Sequence, residues 1–205
     1  MRCPAHAALA LSVARELGWT LEGSDLALAE LAAELHPGAA FDELEAVRAV
    51  CQTFGRGPAL LLPDVLRARA GDPAGVALAV AAAAQRAGLA IDVVAPRAAA
   101  VTPTWATIPS ADATETLYLA HPDATLVVEP SGRLLDGRTL GVDLDWRCAH
   151  ETTATILDRI SERAERTGDL PLATAARALT LTLPLQDDAR DHRVREHARL
   201  LARLN

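Results

Sequence analysis

Apolar residues recur at helical spacing through the first third of the chain. Residues 7–17 and 26–35 each place leucine and alanine along one face, and a His-Pro-Gly turn at 36–38 ends the second segment. A third segment follows, and it carries an apolar stripe made of Phe41, Leu44, Val47, Cys51 and Phe54. This pattern predicts that the N-terminal part of the molecule is mainly helical.

A different pattern marks residues 74–87, which carry no polar side chain before Gln85. A helix that is apolar on every face is buried. Asp72 suits the N-cap of such a helix, Pro73 its first position and Gly88 its C-terminal cap. The sequence therefore predicts a buried central helix.

Short runs of apolar residues follow Gly88. Strands are expected at 91–95, 116–120 and 125–128, with a further candidate at 101–108 that Pro103 interrupts. The links between them are short, which favours antiparallel pairing.

From about Asp145 the pattern is helical again and predicts three helices. The third is expected at 189–204, with an inward face made of Val194, His197, Leu201 and Leu204. We therefore divide the chain into a domain at 1–143 and a helical hairpin with a terminal helix at 144–205.

Composition narrows the function classes. The formal net charge is −7, which argues against nucleic acid and against an anionic membrane surface as partners. All 20 basic residues are arginine, so no lysine is available for a Schiff base or a Walker-type phosphate loop, and no cofactor is expected. We expect no signal peptide and no membrane span, and hence a cytoplasmic protein.

Three motifs, in order along the chain, resemble the transglutaminase-like proteins of the SirB1 type. They are LPDVLRARAGDPAGVALAVAAAAQRAGLAIDVVAP at 62–96, VVEPSGRLLDGRTL at 127–140, and GDLPLATAARALTLTLP at 168–184. The last is similar to a tetratricopeptide-like helical hairpin. The resemblance implies an α+β fold with a papain/transglutaminase-like core, in which a small antiparallel sheet packs on the buried helix between mainly helical N- and C-terminal parts.

The resemblance also implies where a cysteine–histidine–aspartate triad would lie. The nucleophile would fall between Asp72 and Gly75, where there is no cysteine, and the histidine would fall on Ala98. Glu129 stands at the place of the aspartate. Because thiol chemistry needs both a thiolate and a nearby imidazole, neither cysteine-dependent transglutaminase nor protease activity is expected. Cys51 lies on an apolar helical stripe, so we interpret it as a buried structural residue.

Four residues remain as weak candidates for chemistry or binding. Asp72 and Glu129 are acid/base candidates, and Glu129 is also a binding candidate. A helix cap at Asp72 and a turn-stabilising acceptor at Glu129 are the simpler interpretations. Arg97 could clamp a carboxylate or phosphate, or extend into solvent. Trp105 could line a pocket or contact a partner, although ordinary packing is favoured.

No metal site is expected from the spacing of the cysteines and histidines. Cys3, Cys51 and Cys148 form no Cys-x-x-Cys pair, and His150-Glu151 lacks the second histidine of a His-Glu-x-x-His motif.

Three functions stay open. The first is a catalytically degenerate binding or scaffold protein for a peptide or protein partner, or for a small molecule in the old cleft. The second is a repurposed enzyme with cyclase or isomerase chemistry in bacterial specialised metabolism, and the third is a regulatory subunit of an enzyme complex. The sequence leaves open whether the chain forms a homo-oligomer.

Overall fold

The computed structural model describes residues 3–97, 116–184 and 187–204, and it combines helices with an antiparallel sheet. The predicted α+β class is therefore confirmed. The helices are α1 (His6–Glu16), α2 (Ser24–Ala33), α3 (Ala40–Gln52), α4 (Leu62–Ala68), α5 (Pro73–Ala87), α6 (Ala149–Thr167), α7 (Leu170–Thr182) and α8 (Asp187–Leu204). The strands are β1 (Gly55–Arg56), β2 (Ala70–Gly71), β3 (Asp92–Pro96), β4 (Tyr118–Ala120), β5 (Leu126–Val128), β6 (Leu134–Asp136) and β7 (Leu144–Arg147).

Helix α5 is the buried central helix that the sequence predicts. Every residue from 74 to 84 is buried. The side chain of Asp72 accepts a hydrogen bond from the backbone N–H of Ala74 at 3.0 Å, which caps the N-terminus. Gly88 ends the helix in the left-handed conformation, with φ of +81°.

The first four helices pack around α5 and share its core. Leu44, Val47 and Cys51 of α3 are buried, as the predicted stripe requires. Phe41 is the exception, since 55% of its surface is exposed. It lies in the first turn of α3, so the stripe begins one turn later than expected.

The main sheet has five antiparallel strands in the order β6-β5-β4-β3-β7. Val93 of β3 lies opposite Leu119 of β4, and Leu119 lies opposite Val128 of β5. These three side chains belong to the main core, which also contains α5. The small antiparallel sheet and its packing on the buried helix are therefore as predicted.

The structure corrects the expected helix from Asp145. Residues Leu144–Arg147 form β7, which pairs with β3 so that Trp146 lies opposite Val94, and α6 begins at Ala149. The chain thus completes the sheet after residue 143 before it becomes helical. The candidate strand at 101–108 lies outside the described residues.

The inward face predicted for α8 is also wrong. Val194, Leu201 and Leu204 are exposed and His197 is half-buried, whereas Leu200 is fully buried against Ala164 of α6 and Ala173 of α7. The buried face of α8 is therefore centred on Leu200 and not on the predicted residues. Within the ranges the structure describes, no helix is both long and apolar enough to cross a membrane.

Candidate functional site

The start of α5 borders an open cleft of about 540 Å³. One side is β1 with its flanking residues, and the opposite side is the turn after β5. The described residues that line it are Phe54, Gly55, Arg56, Gly57, Gly71, Pro73, Val76, Thr116, Glu129, Pro130 and Ser131. This set contains no thiol and no imidazole, so none of the described lining residues could serve as the nucleophile or the base of a cysteine protease.

Glu129 lines this cleft, but its carboxylate already has hydrogen-bond partners. One oxygen accepts hydrogen bonds from the hydroxyl of Ser131 at 3.0 Å and from Nε of Arg133 at 3.1 Å. The other oxygen accepts from Arg133 at 2.8 Å. The backbone of Glu129 also pairs with Arg133 across the turn. This arrangement matches a turn-stabilising acceptor more closely than a free general base.

Asp72 is not part of the cleft lining, because its carboxylate turns toward α6. One oxygen contacts Arg159 at 2.5 Å and the other contacts Arg163 at 3.1 Å. The same side chain caps α5 through Ala74. Both oxygens are thus committed to structure, and Asp72 and Glu129 do not form an acid/base pair in one site.

Arg97 is exposed and already holds a protein carboxylate. Its Nε and Nη2 atoms donate to Asp145 of β7 at distances between 2.7 and 3.1 Å. This hydrogen bonding raises the pKa of Arg97 and lowers the pKa of Asp145. Arg97 therefore binds a carboxylate of the protein itself, that of Asp145. The binding candidate Trp105 lies outside the described residues, as does Ala98.

The first turn of α5 leaves little room for a side chain at Gly75. A Cβ there would lie 3.0 Å from the carbonyl oxygen of Ala59 and 3.1 Å from that of Leu60. Cys51, the other thiol considered near this part of the sequence, is buried, and burial raises its pKa to about 12. The structural interpretation of Cys51 is confirmed, since a thiol of that pKa is not a nucleophile at neutral pH.

Arg56 is a cleft residue that the sequence analysis missed. It is exposed and makes no ion pair with any residue that the structure describes. Gly55 and Gly57 donate their backbone N–H groups to the carbonyl oxygens of Arg69, just before β2, and of Gly71, in β2. Because backbone groups alternate along a strand, Arg56 directs its own N–H and C=O to the opposite edge, where the described residues form no further strand. No sequence pattern distinguishes this arginine from the other nineteen.

A second group of residues that the sequence spacing did not bring together lies at the start of α6. Cys3, Cys148 and His150 place one ligand atom each within 4.8 Å of one another. The Sγ atom of Cys3 is 3.3 Å from Nδ1 of His150. Burial raises the pKa of Cys148 to about 11. No metal motif is visible in the sequence because Cys3 is 147 positions from His150.

Two other histidines are buried and have structural partners. His121 lies 3.8 Å from Glu43, whose carboxylate also accepts backbone hydrogen bonds from Gly38 and Ala90. His6 contacts Gln85 at 2.9 Å and lies 3.6 Å from Asp92. Neither histidine lines the cleft, so neither supplies the missing base.

Comparison with known proteins leaves the SirB1-type resemblance resting on the three sequence motifs alone. No family model matches the chain, and no curated protein and no solved structure matches it.

Proposed function

We propose that this chain is a catalytically degenerate transglutaminase-like protein that binds an extended peptide segment of a partner protein in the cleft beside β1. The observation that carries the proposal is Arg56, which brings to the same cleft a guanidinium and a strand edge that have no partner among the described residues. The partner segment would carry an acidic side chain.

The free edge supports an extended peptide as the ligand. The N–H and C=O of Arg56 face away from β2, which leaves one donor and one acceptor for the backbone of an added strand. Strand addition of this kind gives affinity through main-chain hydrogen bonds and specificity through side-chain pockets.

The charge in the cleft supports an acidic side chain on that peptide. Glu129 is neutralised by Arg133, so the guanidinium of Arg56 is the uncompensated charge among the described lining residues. A planar guanidinium can bind a carboxylate with two parallel hydrogen bonds. This pair would lie at the rim of the cleft and would fix the register of the bound segment.

The lining also supports binding without turnover. Pro73 and Val76 are the residues that α5 presents to the cleft, and neither has a reactive group. The position of the family histidine, Ala98, cannot supply a base because alanine has no titratable side chain. The repurposed-enzyme alternative would have to use Glu129, which Ser131 and Arg133 already engage.

A display experiment tests this proposal. A library of random linear peptides is selected on the wild-type protein. The binding of the enriched peptides is then measured against Arg56→Glu and against Arg15→Glu, a matched charge reversal at an exposed position of α1. We expect enriched peptides to share an acidic residue and to bind Arg56→Glu at least about tenfold more weakly, while Arg15→Glu keeps its affinity. N-methylation of alternate backbone amides in the peptide should weaken binding in the same way.

Two results would contradict the proposal. Equal loss of affinity in both arginine variants would mean that net charge, and not the cleft, attracts the peptides. Chemical conversion of a bound peptide or small molecule that disappears in Glu129→Gln would favour the acid/base enzyme instead. Circular dichroism of each variant shows whether a loss of affinity reflects a loss of folding.

A further inference from the structure

The start of α6 gathers three residues with soft or borderline ligand atoms. Cys148 lies directly before the helix, His150 lies in its first turn, and Cys3 approaches from the segment that leads into α1. Their ligand atoms all lie within 4.8 Å of one another, and Sγ of Cys3 is 3.3 Å from Nδ1 of His150. Cys3 and His150 are 147 positions apart, so only the tertiary fold creates this group.

The approach of Cys3 to α6 is fixed by His6, which is buried three residues later. Nε2 of His6 lies 3.3 Å from the hydroxyl of Thr152 in the first turns of α6. The backbone N–H of His6 donates to the side-chain oxygen of Gln85 of α5 at 3.2 Å. The Nδ1 atom of His6 lies 2.9 Å from the side-chain nitrogen of Gln85. The start of α1 is thus anchored to both helices, which holds Cys3 next to Cys148 and His150.

We propose that Cys3, Cys148 and His150 form a binding site for a Zn²⁺-type metal ion, with three protein ligands and a fourth position open to solvent. Two thiolates and one imidazole are ligands that Zn²⁺ prefers, and two thiolates balance its charge. The described residues contribute no carboxylate to the group, which argues against Ca²⁺ and Mg²⁺, since these ions require oxygen ligands.

The distances fit a tetrahedral ion after small movements. With metal–sulfur bonds of about 2.3 Å and metal–nitrogen bonds of about 2.0 Å, tetrahedral ligands lie roughly 3.5 to 3.8 Å apart. The sulfur–nitrogen separation of 3.3 Å is within a few tenths of that range, and every other pair is below 4.8 Å. Cys3 is exposed and lies before the first helix, so it can move by this amount without disturbing the core.

The surroundings of Cys148 hold its thiol in place. Its backbone N–H donates to the carboxylate of Glu151 at 2.9 Å, which fixes the turn between β7 and α6. The thiol is therefore held at the start of α6, next to His150.

Metal uptake by the 205-residue chain tests the site. The protein is prepared without an oligohistidine tag, reduced, and titrated with Co²⁺, which substitutes for Zn²⁺ and absorbs strongly when thiolates bind it in four-coordinate geometry. We expect one equivalent of Co²⁺ with thiolate charge-transfer absorption, and displacement of the Co²⁺ by Zn²⁺. Cys3→Ser, Cys148→Ser and His150→Gln should each weaken Co²⁺ affinity at least about 100-fold. Loss of a side chain that only hydrogen-bonds to a metal ligand already costs about 10–100-fold.

Matched controls distinguish the site from incidental binding. Cys51→Ala removes the remaining cysteine, and His36→Gln removes an exposed histidine; both should keep wild-type Co²⁺ affinity. If Cys148→Ser does not fold, Cys3→Ser decides alone, since Cys3 lies outside the core. Absence of Co²⁺ uptake by reduced wild-type protein, or uptake unaffected by Cys3→Ser, would overturn the proposal. A Cys3–Cys148 disulfide in the purified protein, together with no uptake after reduction, would overturn it in favour of a redox pair.

Discussion

Asp72 and Arg159 join the first turn of α5 to α6 through an ion pair of 2.5 Å, and Arg163 contacts the second carboxylate oxygen at 3.1 Å. The side chains of Asp72 and Arg159 are both mostly buried. Because the same carboxylate caps α5, one residue holds the helix start and the contact between the central and C-terminal helices. The carboxylate of Asp72 is therefore directed toward α6 and does not line the cleft.

Asp72→Ala should destabilise the fold by about 2–4 kcal/mol. It removes the helix cap, worth about 1 kcal/mol, and leaves two guanidinium groups near the core without their carboxylate. Asp72→Asn keeps an acceptor for Ala74 but not the charge, so it should cost about half as much. Urea unfolding measures both values. Equal stability of wild type and Asp72→Ala would mean that the ion pair contributes nothing and that Asp72 is free for another role.

Gly75→Ala should destabilise the protein by about 1–2 kcal/mol, although alanine is the better helix former by about 0.5–1 kcal/mol. The added Cβ would lie 3.0 Å from the carbonyl oxygen of Ala59, and that oxygen also accepts the backbone N–H of Asp72 at 2.8 Å. Movement of the carbonyl away from the added Cβ would therefore strain this hydrogen bond.

Gly38→Ala is the matched control for this test, because the nearest atom to its added Cβ is at an ordinary 3.5 Å. It should change the unfolding free energy by no more than about 0.5 kcal/mol. If Gly75→Ala were as stable as wild type, the start of α5 would have room for a side chain. The steric argument against a nucleophile at that position would then fail.

The sequence predicts the centre of this fold better than its edges, for a physical reason. Residues 74–84 contain no polar side chain, so burial is the only stable outcome for α5. Strand β7 contains Asp145 and Arg147, and its strand character comes from pairing with Val94 and its neighbours in β3. Such pairing between distant segments leaves no periodic pattern in the sequence of either.

The candidate sites show the same limit. The sequence does not reveal the ion pair of Arg97 because its partner, Asp145, is 48 positions away. Arg56 looked like any other surface arginine, and only the pairing of β1 with β2 shows that its backbone edge is open. A sequence motif reveals a site only when its residues are close together in the sequence. The partner of Arg97 and the strand that pairs with β1 are not close to them in this way.

Leu200→Ala should destabilise the docking of α8 by about 2–4 kcal/mol, because Leu200 is fully buried against α6 and α7. Leu204→Ala and Val194→Ala remove side chains that are almost half exposed and should each cost about 0.5 kcal/mol or less. Urea unfolding, with hydrogen exchange of the α8 amides, measures both effects. A larger cost at Val194 or Leu204 than at Leu200 would restore the face predicted from the sequence.

His6 should make the fold less stable in mild acid. Burial lowers the pKa of His6 below its ordinary value of 6.5, and the nearby carboxylate of Asp92 and the amide of Gln85 offset only part of this effect. Below about pH 6.5 the unfolded chain therefore binds a proton that the folded chain resists, so stability falls until the pH passes the lower folded pKa. Above about pH 6.5 this residue adds no pH dependence.

Unfolding free energies of wild type and His6→Gln between about pH 8 and about pH 5 isolate the share of His6. The difference between the two proteins should be constant at high pH and should shift against the wild type as the pH falls. Asp92→Asn should enlarge that shift, since Asp92 lies 3.6 Å from the imidazole and its negative charge raises the pKa of His6. A difference that stays constant over the whole range would show that His6 is protonated as easily in the folded protein as in the unfolded chain.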